Sequence, residues 1–211
     1  MSQNSESGYS SDECQINSPR NKVIENDAKL FAEKYSVEKE LVKSANGILY
    51  TGFDLKTGKP VVIKQIPRNV ISKYKIIEGR MIPSEIYMHA KAYQLTKSVV
   101  EPLDWFERSS SFVLVMEKPE NSMDLFDFSQ KYGRINEEAA KVIFRQIVNC
   151  TKKLYKGGLI HRDLKDENIL INPETLEIKI IDFGCATSRK PVYTSCVGTP
   201  EFWPAEWYET H

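Results

Sequence analysis

Four side chains of this sequence have the types and spacing that phosphoryl transfer requires. The run His161-Arg162-Asp163-Leu164-Lys165-Asp166-Glu167-Asn168 is followed, fourteen residues beyond Asn168, by Asp182-Phe183-Gly184. A loop carboxylate such as Asp163 can orient an attacking hydroxyl and accept its proton, while Lys165, two residues on, can neutralise the moving phosphoryl group. Asn168 and Asp182 offer oxygen atoms, the hard ligands that magnesium takes beside nucleotide phosphates. A solvated loop with chance charges would need two motifs to coincide in order and spacing.

Elements with readable patterns must position these groups. Met1 to about Asn26 is Ser, Asn, Glu and Gly with few large apolar residues, too little to offset the entropy of ordering a backbone, so a disordered tail is expected over residues 1–34. Strands are expected at Tyr35 to Leu41, Ile48 to Asp54 and Val61 to Ile66, with a turn at Lys56-Thr57-Gly58, giving an antiparallel meander. A helix is expected around Ser84 to Tyr93, just after Pro83, and further strands at Val99 to Phe106 and Phe112 to Glu117. Asn136 suits an N-cap, Glu137 and Glu138 suit a first turn, and Ala140, Phe144, Ile147, Thr151 and Leu154 recur at helical spacing up to Gly157-Gly158. Short apolar runs at Ile169 to Ile171 and Ile178 to Ile181 flank a Pro173-Glu174-Thr175 turn, and the rest to His211 reads as loop.

The bulk numbers exclude several classes. The chain has 211 residues, with 29 basic against 29 acidic side chains, which leaves no net field to attract nucleic acid. No stretch approaches the ~20 apolar residues of a membrane span, and the N-terminus lacks the apolar core of a signal peptide. Cys14, Cys150, Cys185 and Cys196 contain no Cys-x-x-Cys pair, so free thiols in a reducing compartment are expected rather than zinc or disulfides. A soluble protein, cytoplasmic or also nuclear, is the expectation.

His161 to Asn168 followed by Asp182-Phe183-Gly184 resembles the signature pair of eukaryotic protein kinases. The resemblance implies an α+β, bilobal kinase-like fold: a small antiparallel sheet lobe with one helix, about 35–117, and an incomplete helical large lobe, about 120–211. It implies ATP and magnesium, with Asp163 and Lys165 catalytic and Asn168 and Asp182 holding metal. Val62-Ile63-Lys64 resembles the kinase strand whose Lys holds the nucleotide phosphates, and Glu85 stands where kinases place its carboxylate partner. Lys165 resembles Ser/Thr rather than Tyr kinases.

Leu103 to Arg108, Phe112 to Glu120, Asp124 to Phe128 and His161 to Leu170 are similar to the Pim Ser/Thr kinases, and the likeness runs from about Tyr35 to His211. In that family Pro119 removes a donor from the lobe linker, while Glu117 offers its backbone carbonyl to adenine with Met116 beside it. The resemblance also implies a preference for basic residues upstream of the target Ser or Thr. Asp124 and Asp127, three apart on a helix, joined by Glu167, would bind them, although Asp124 alone is read equally well as helix-terminal charge. The implied partners are protein substrates, with no nucleic acid or membrane, and the implied state is a monomer.

The sequence departs from the family in three places. The glycine-rich loop aligns as Val42-Lys43-Ser44-Ala45-Asn46-Gly47, keeping only the last Gly, so Val42 and Ser44 would hold the loop further from phosphate while Asn46 tolerates a left-handed conformation. His89 stands where kinases stack an aliphatic side chain on the Asp-Phe-Gly ring. The likeness stops just after Pro204-Ala205-Glu206, so the large lobe would lack its helical floor and leave apolar surface around Phe144, Ile147, Trp203 and Trp207. Two readings therefore stand: an ATP-dependent Ser/Thr kinase that does not strictly need phosphate among Thr187, Ser188, Tyr193, Thr194, Ser195 and Thr199, or a catalytically weak or inactive kinase-fold scaffold or decoy.

Overall fold

The computed structural model describes residues 19–210, and its contacts divide the chain into two compact units. One comprises residues 19–70 with 105–114; the other comprises 71–104 with 115–210.

A five-stranded sheet runs in the order β1-β2-β3-β7-β6, with β1 Tyr35–Ser44, β2 Gly47–Asp54, β3 Pro60–Pro67, β6 Pro102–Glu107 and β7 Ser111–Glu117, and the first unit holds β1 to β3 with residues 105–107 of β6 and 111–114 of β7. The expected meander is present: β1 pairs antiparallel with β2, and β2 with β3. Alternation along β3 buries Val61 and Ile63 and turns Lys64 to the opposite face.

Helix α1, Pro19–Lys34, corrects the expected tail for residues 19–34; residues 1–18 lie outside the described residues. Distant partners offset the ordering cost that local composition could not. Asp27 is buried and accepts the Glu107 N–H at 2.7 Å, and Arg20 pairs with the Glu107 carboxylate at 3.1 Å. Arg68 reaches the same carboxylate at 2.6 Å. The Phe31 ring meets Phe106 edge-on at 5.3 Å, with the Arg108 guanidinium 5.0 Å from its centre.

The second unit contains the hairpin β4 Tyr74–Ile77 and β5 Arg80–Pro83, helix α2 Ser84–Leu95, β8 Met123–Asp124, helix α3 Leu125–Tyr132, helix α4 Glu137–Lys156, β9 Leu159–Ile160, β10 Ile169–Ile171, β11 Ile178–Ile180, β12 Thr187–Ser188 and helix α5 Ala205–Thr210. The hairpin was not expected from the sequence. Met88 and Ala92 of α2 are buried in one apolar cluster with Leu154, Ile180 and Phe183, which places α2 in this unit.

Asn136 caps α4 as expected, its Oδ1 accepting the Ala139 N–H at 2.9 Å. Burial along α4 falls on Ile143, Cys150 and Leu154, whereas Phe144, one residue further round the helix, is 67% exposed. Ile147 packs partly buried against the core, and Trp203 and Trp207 are half-buried and meet edge-on at 6.4 Å. Strands β10 and β11 pair so that four isoleucines face the core and the Leu170–Lys179 pair faces away from it. No described helix is long and apolar enough to cross a membrane.

Candidate active site

The loop after β9 is anchored from beneath by His161. The Asp163 N–H donates to His161 Nδ1 at 3.3 Å, so Nε2 carries the proton and donates to the Ile181 carbonyl at 2.9 Å. Burial lowers the pKa of this imidazole, as suits a neutral ring between two backbone groups. The Ile181 N–H in turn donates to the Asn168 carbonyl at 3.0 Å. These two bonds fasten the residue before Asp182 to both ends of the 161–168 loop.

Asp163 is held from two sides. Asn168 Nδ2 donates to the Asp163 carbonyl at 2.8 Å and to Oδ2 at 3.3 Å. Asn168 is buried, and these bonds turn its amide nitrogen towards Asp163, which leaves the amide oxygen as the atom suited to a cation. On the other side, Thr199 donates both N–H and Oγ1–H to Asp163 Oδ1, each at 2.8 Å. Gly198 makes this approach possible. Its φ is +95°, and a Cβ there would stand 2.4 Å from the Arg162 carbonyl oxygen. The role of Thr199 was not singled out in the sequence, since no spacing rule links it to a residue thirty-six positions earlier.

Lys165 pairs with Glu167 at 2.6 Å, and this bond raises the lysine's pKa, with Asp163 and Asp182 adding to it. Glu167, expected to bind substrate, is thus paired to a lysine of its own loop. Asp182 has φ +59° and accepts the Gly184 N–H at 3.2 Å; Arg162 has φ +69° and donates from Nε to the Cys185 carbonyl at 2.8 Å. Two non-glycine residues in the left-handed region so close together mark backbone strain held by its surroundings. Phe183 is fully buried between His89 and His161, with ring centres 5.0 and 4.9 Å away. His89 also bonds the Val100 carbonyl through Nε2 at 2.7 Å, so it is packed and satisfied. Glu85 of α2 lies beside the same loop: a Cβ on Gly184 would be 3.6 Å from Glu85 Oε2.

The second unit therefore brings together Asp163, Lys165, Asn168, Asp182 and Glu85. It also contains Glu117, whose Oε1 accepts the Glu101 N–H at 2.7 Å and an ion pair from Lys179. Asp124 is the N-cap of α3, accepting the Asp127 N–H at 2.7 Å, which gives it a structural role. Asp127 is exposed in the first turn of α3, a helix that packs on the 166–168 turn bearing Glu167.

Lys64, Val42 and Gly47 belong to the first unit. Lys64 is half-buried on β3, opposite Leu49 of β2. The β1–β2 connection is a tight turn at Ala45-Asn46, held by Ser44 Oγ, which donates to the Gly47 carbonyl at 3.2 Å and accepts the Asn46 N–H at 3.3 Å. Asn46 does not have positive φ, which corrects the expected left-handed compensation. Gly47 supplies the special geometry instead: its φ is +140°, and a Cβ would stand 2.3 Å from the Gln65 carbonyl oxygen. Val42 is 54% exposed.

Asn168 and Asp182 offer oxygens, the donor type that a hard divalent cation takes. Among the described residues no cluster of three or more His, Cys, Asp or Glu could hold a metal unaided.

A family model described as the protein kinase domain matches residues 35–211. The chain is 36% identical over 179 residues to the serine/threonine-protein kinase prk-2 of Caenorhabditis elegans, covering 84% of this chain and 40% of that protein. It is 33% identical over 191 residues to the serine/threonine-protein kinase pim-2 of Danio rerio, covering 86% of this chain and 62% of that protein. A PAS domain-containing serine/threonine-protein kinase of Mus musculus is 38% identical over 176 residues, which are 80% of this chain and 12% of the relative. The chain thus spans less than two thirds of the length of these relatives.

Proposed function

The chain belongs to the protein kinase domain family, and from that premise we propose that it transfers the γ-phosphoryl group of ATP to Ser or Thr hydroxyls of proteins, preferring sites with basic residues upstream. The observation that carries the reading is the convergence on Asp163 of Asn168 from within its loop and Thr199 from the later segment. The similarity to relatives named serine/threonine-protein kinases supports the hydroxyl acceptor.

In this reading Asp163 accepts the proton of the attacking hydroxyl as the new O–P bond forms and the bond from the γ-phosphorus to the β-phosphate oxygen breaks, releasing ADP. Lys165, kept cationic by its neighbours, offsets the charge on the moving group. Asn168 and Asp182 would hold magnesium, which supplies charge neutralisation at the phosphates. Lys64 is assigned to the phosphates and the Glu117 carbonyl to adenine by resemblance. Asp127 and Glu167 are the acids suited to an upstream Arg, while Asp124 serves mainly as the cap of α3.

The test is phosphate incorporation into a Ser peptide with upstream Arg, compared with peptides carrying Ala for Arg or Tyr for Ser. The reading expects strong labelling of the first, about tenfold less of the second and none of the third. Equal labelling of the first two overturns the basic preference, and labelling of the Tyr peptide overturns the acceptor class.

One observation favours the non-enzymatic alternative: the β1–β2 turn keeps a single glycine and closes in two residues. A melting temperature unmoved by ATP and magnesium would support that reading, and a clear rise would count against it.

A further inference from the structure

Glu117 stands at the start of the linker whose carbonyl is assigned to adenine, and its side chain has a separate task. The Glu117 N–H donates to the Glu101 carbonyl at 2.9 Å, and Oε1 accepts the Glu101 N–H at 2.7 Å. Lys179 Nζ donates to that same Oε1, and the two side chains are only 23% and 26% exposed, so solvent screens the pair incompletely. Lys179 faces away from the core because its strand neighbours Ile178 and Ile180 take the core face of β11.

The strand that carries Lys179 is itself fixed. The Ile180 N–H donates to the Ser98 carbonyl at 2.9 Å, and the Val100 N–H donates to the Ile180 carbonyl at 3.1 Å. The chain leaves the strand after Ile180 and reaches Asp182, three residues beyond Lys179, after Ile181 has bonded the Asn168 carbonyl. One short strand and the two residues that follow it therefore carry both the cation that grips the linker and the carboxylate assigned to the metal.

We propose that Lys179 is a positioning residue for nucleotide: through Glu117 it fixes the linker relative to Asp182, setting the distance over which the adenine and phosphate ends of one nucleotide must fit. The proposal rests on the reading of this chain as a nucleotide-dependent kinase. Its effect falls on nucleotide affinity rather than on the chemical step, because Lys179 touches neither Asp163 nor the acceptor side of the loop.

The test uses the full chain and its Lys179→Met, Lys179→Arg, Glu117→Gln and Lys179→Met/Glu117→Gln variants. Lys179→Met should raise the KM for ATP about tenfold, with kcat and the peptide KM within about twofold, and Lys179→Arg should restore the KM. The double variant should cost no more than Lys179→Met alone, since both changes break one link. An unchanged KM for ATP, a fall in kcat with both KM values, or failure of Lys179→Arg to rescue would overturn the proposal. ADP binding by calorimetry separates it from the kinase reading. A chain that binds ADP without transferring phosphate contradicts catalysis, and the Lys179→Met binding ratio still decides the role of Lys179. A chain that binds no nucleotide overturns both.

Discussion

Thr199 donates both its backbone N–H and its hydroxyl to one oxygen of Asp163, at 2.8 Å each, and so ties the proposed base to the segment that follows the Asp-Phe-Gly loop. The backbone bond needs only the main chain, whereas the hydroxyl bond needs Ser or Thr at this position.

That division makes Thr199 testable. Thr199→Ala keeps the N–H and should lower kcat about tenfold, as expected for one lost hydrogen bond to a charged group. Thr199→Ser should stay within about threefold of the natural chain. Steady-state kinetics on a Ser peptide measures both, and equal activity of the Ala and natural forms would remove the hydroxyl from the account.

Helix α1 should contribute to the stability of the first unit. Asp27→Ala removes the acceptor of the buried Glu107 N–H and should cost about 1–3 kcal/mol. Phe31→Ala, which removes the edge-on contact to Phe106, should cost about 1–2 kcal/mol. Urea denaturation followed by circular dichroism gives both values. Loss below a few tenths would mean that α1 is merely laid on the sheet.

His161 gives stability a pH dependence of known sign. Its folded pKa is depressed, chiefly by burial, below the unfolded value of 6.5. Below pH 6.5 the unfolded chain therefore binds more protons than the folded one, and stability falls as pH drops until the folded pKa is reached. Above pH 6.5 this contribution is complete. His161→Asn should flatten the melting temperature across that acidic window relative to the natural chain. A slope unchanged by the substitution would assign it to other groups.

Much of the site was legible because its chemistry is local in sequence. Asp163, Lys165 and Asn168 share one loop, and Asp182 follows after one hairpin, so their resemblance to the kinase signature could be read from order and spacing. The strands and α4 were legible from alternation, helical periodicity and the Asn136 cap. Helix α1 was not, because Asp27 and Phe31 find their partners about eighty residues away at Phe106, Glu107 and Arg108. The β4–β5 hairpin was missed because Ile76 and Met81, an opposed pair, are both exposed, contrary to the burial that strand patterns presuppose. Asp124 illustrates an ambiguity of type: an acid before a helix is both a cap and a ligand for a cation, and only the 2.7 Å bond to Asp127 decides that it caps. The bonds made by Lys179 and Thr199 were not legible, since they arise from tertiary juxtaposition.

The proposed mechanism depends above all on Asp163 as the base of phosphoryl transfer. The most direct measurement is transfer of label from γ-labelled ATP with magnesium to an Arg-containing Ser peptide, by the natural chain and by Asp163→Asn, with nucleotide binding checked for both. Labelled phosphoserine is expected from the natural chain and about 10³-fold less from Asp163→Asn, with nucleotide binding retained. Equal labelling by the two chains, or none by a natural chain that binds nucleotide, would contradict it.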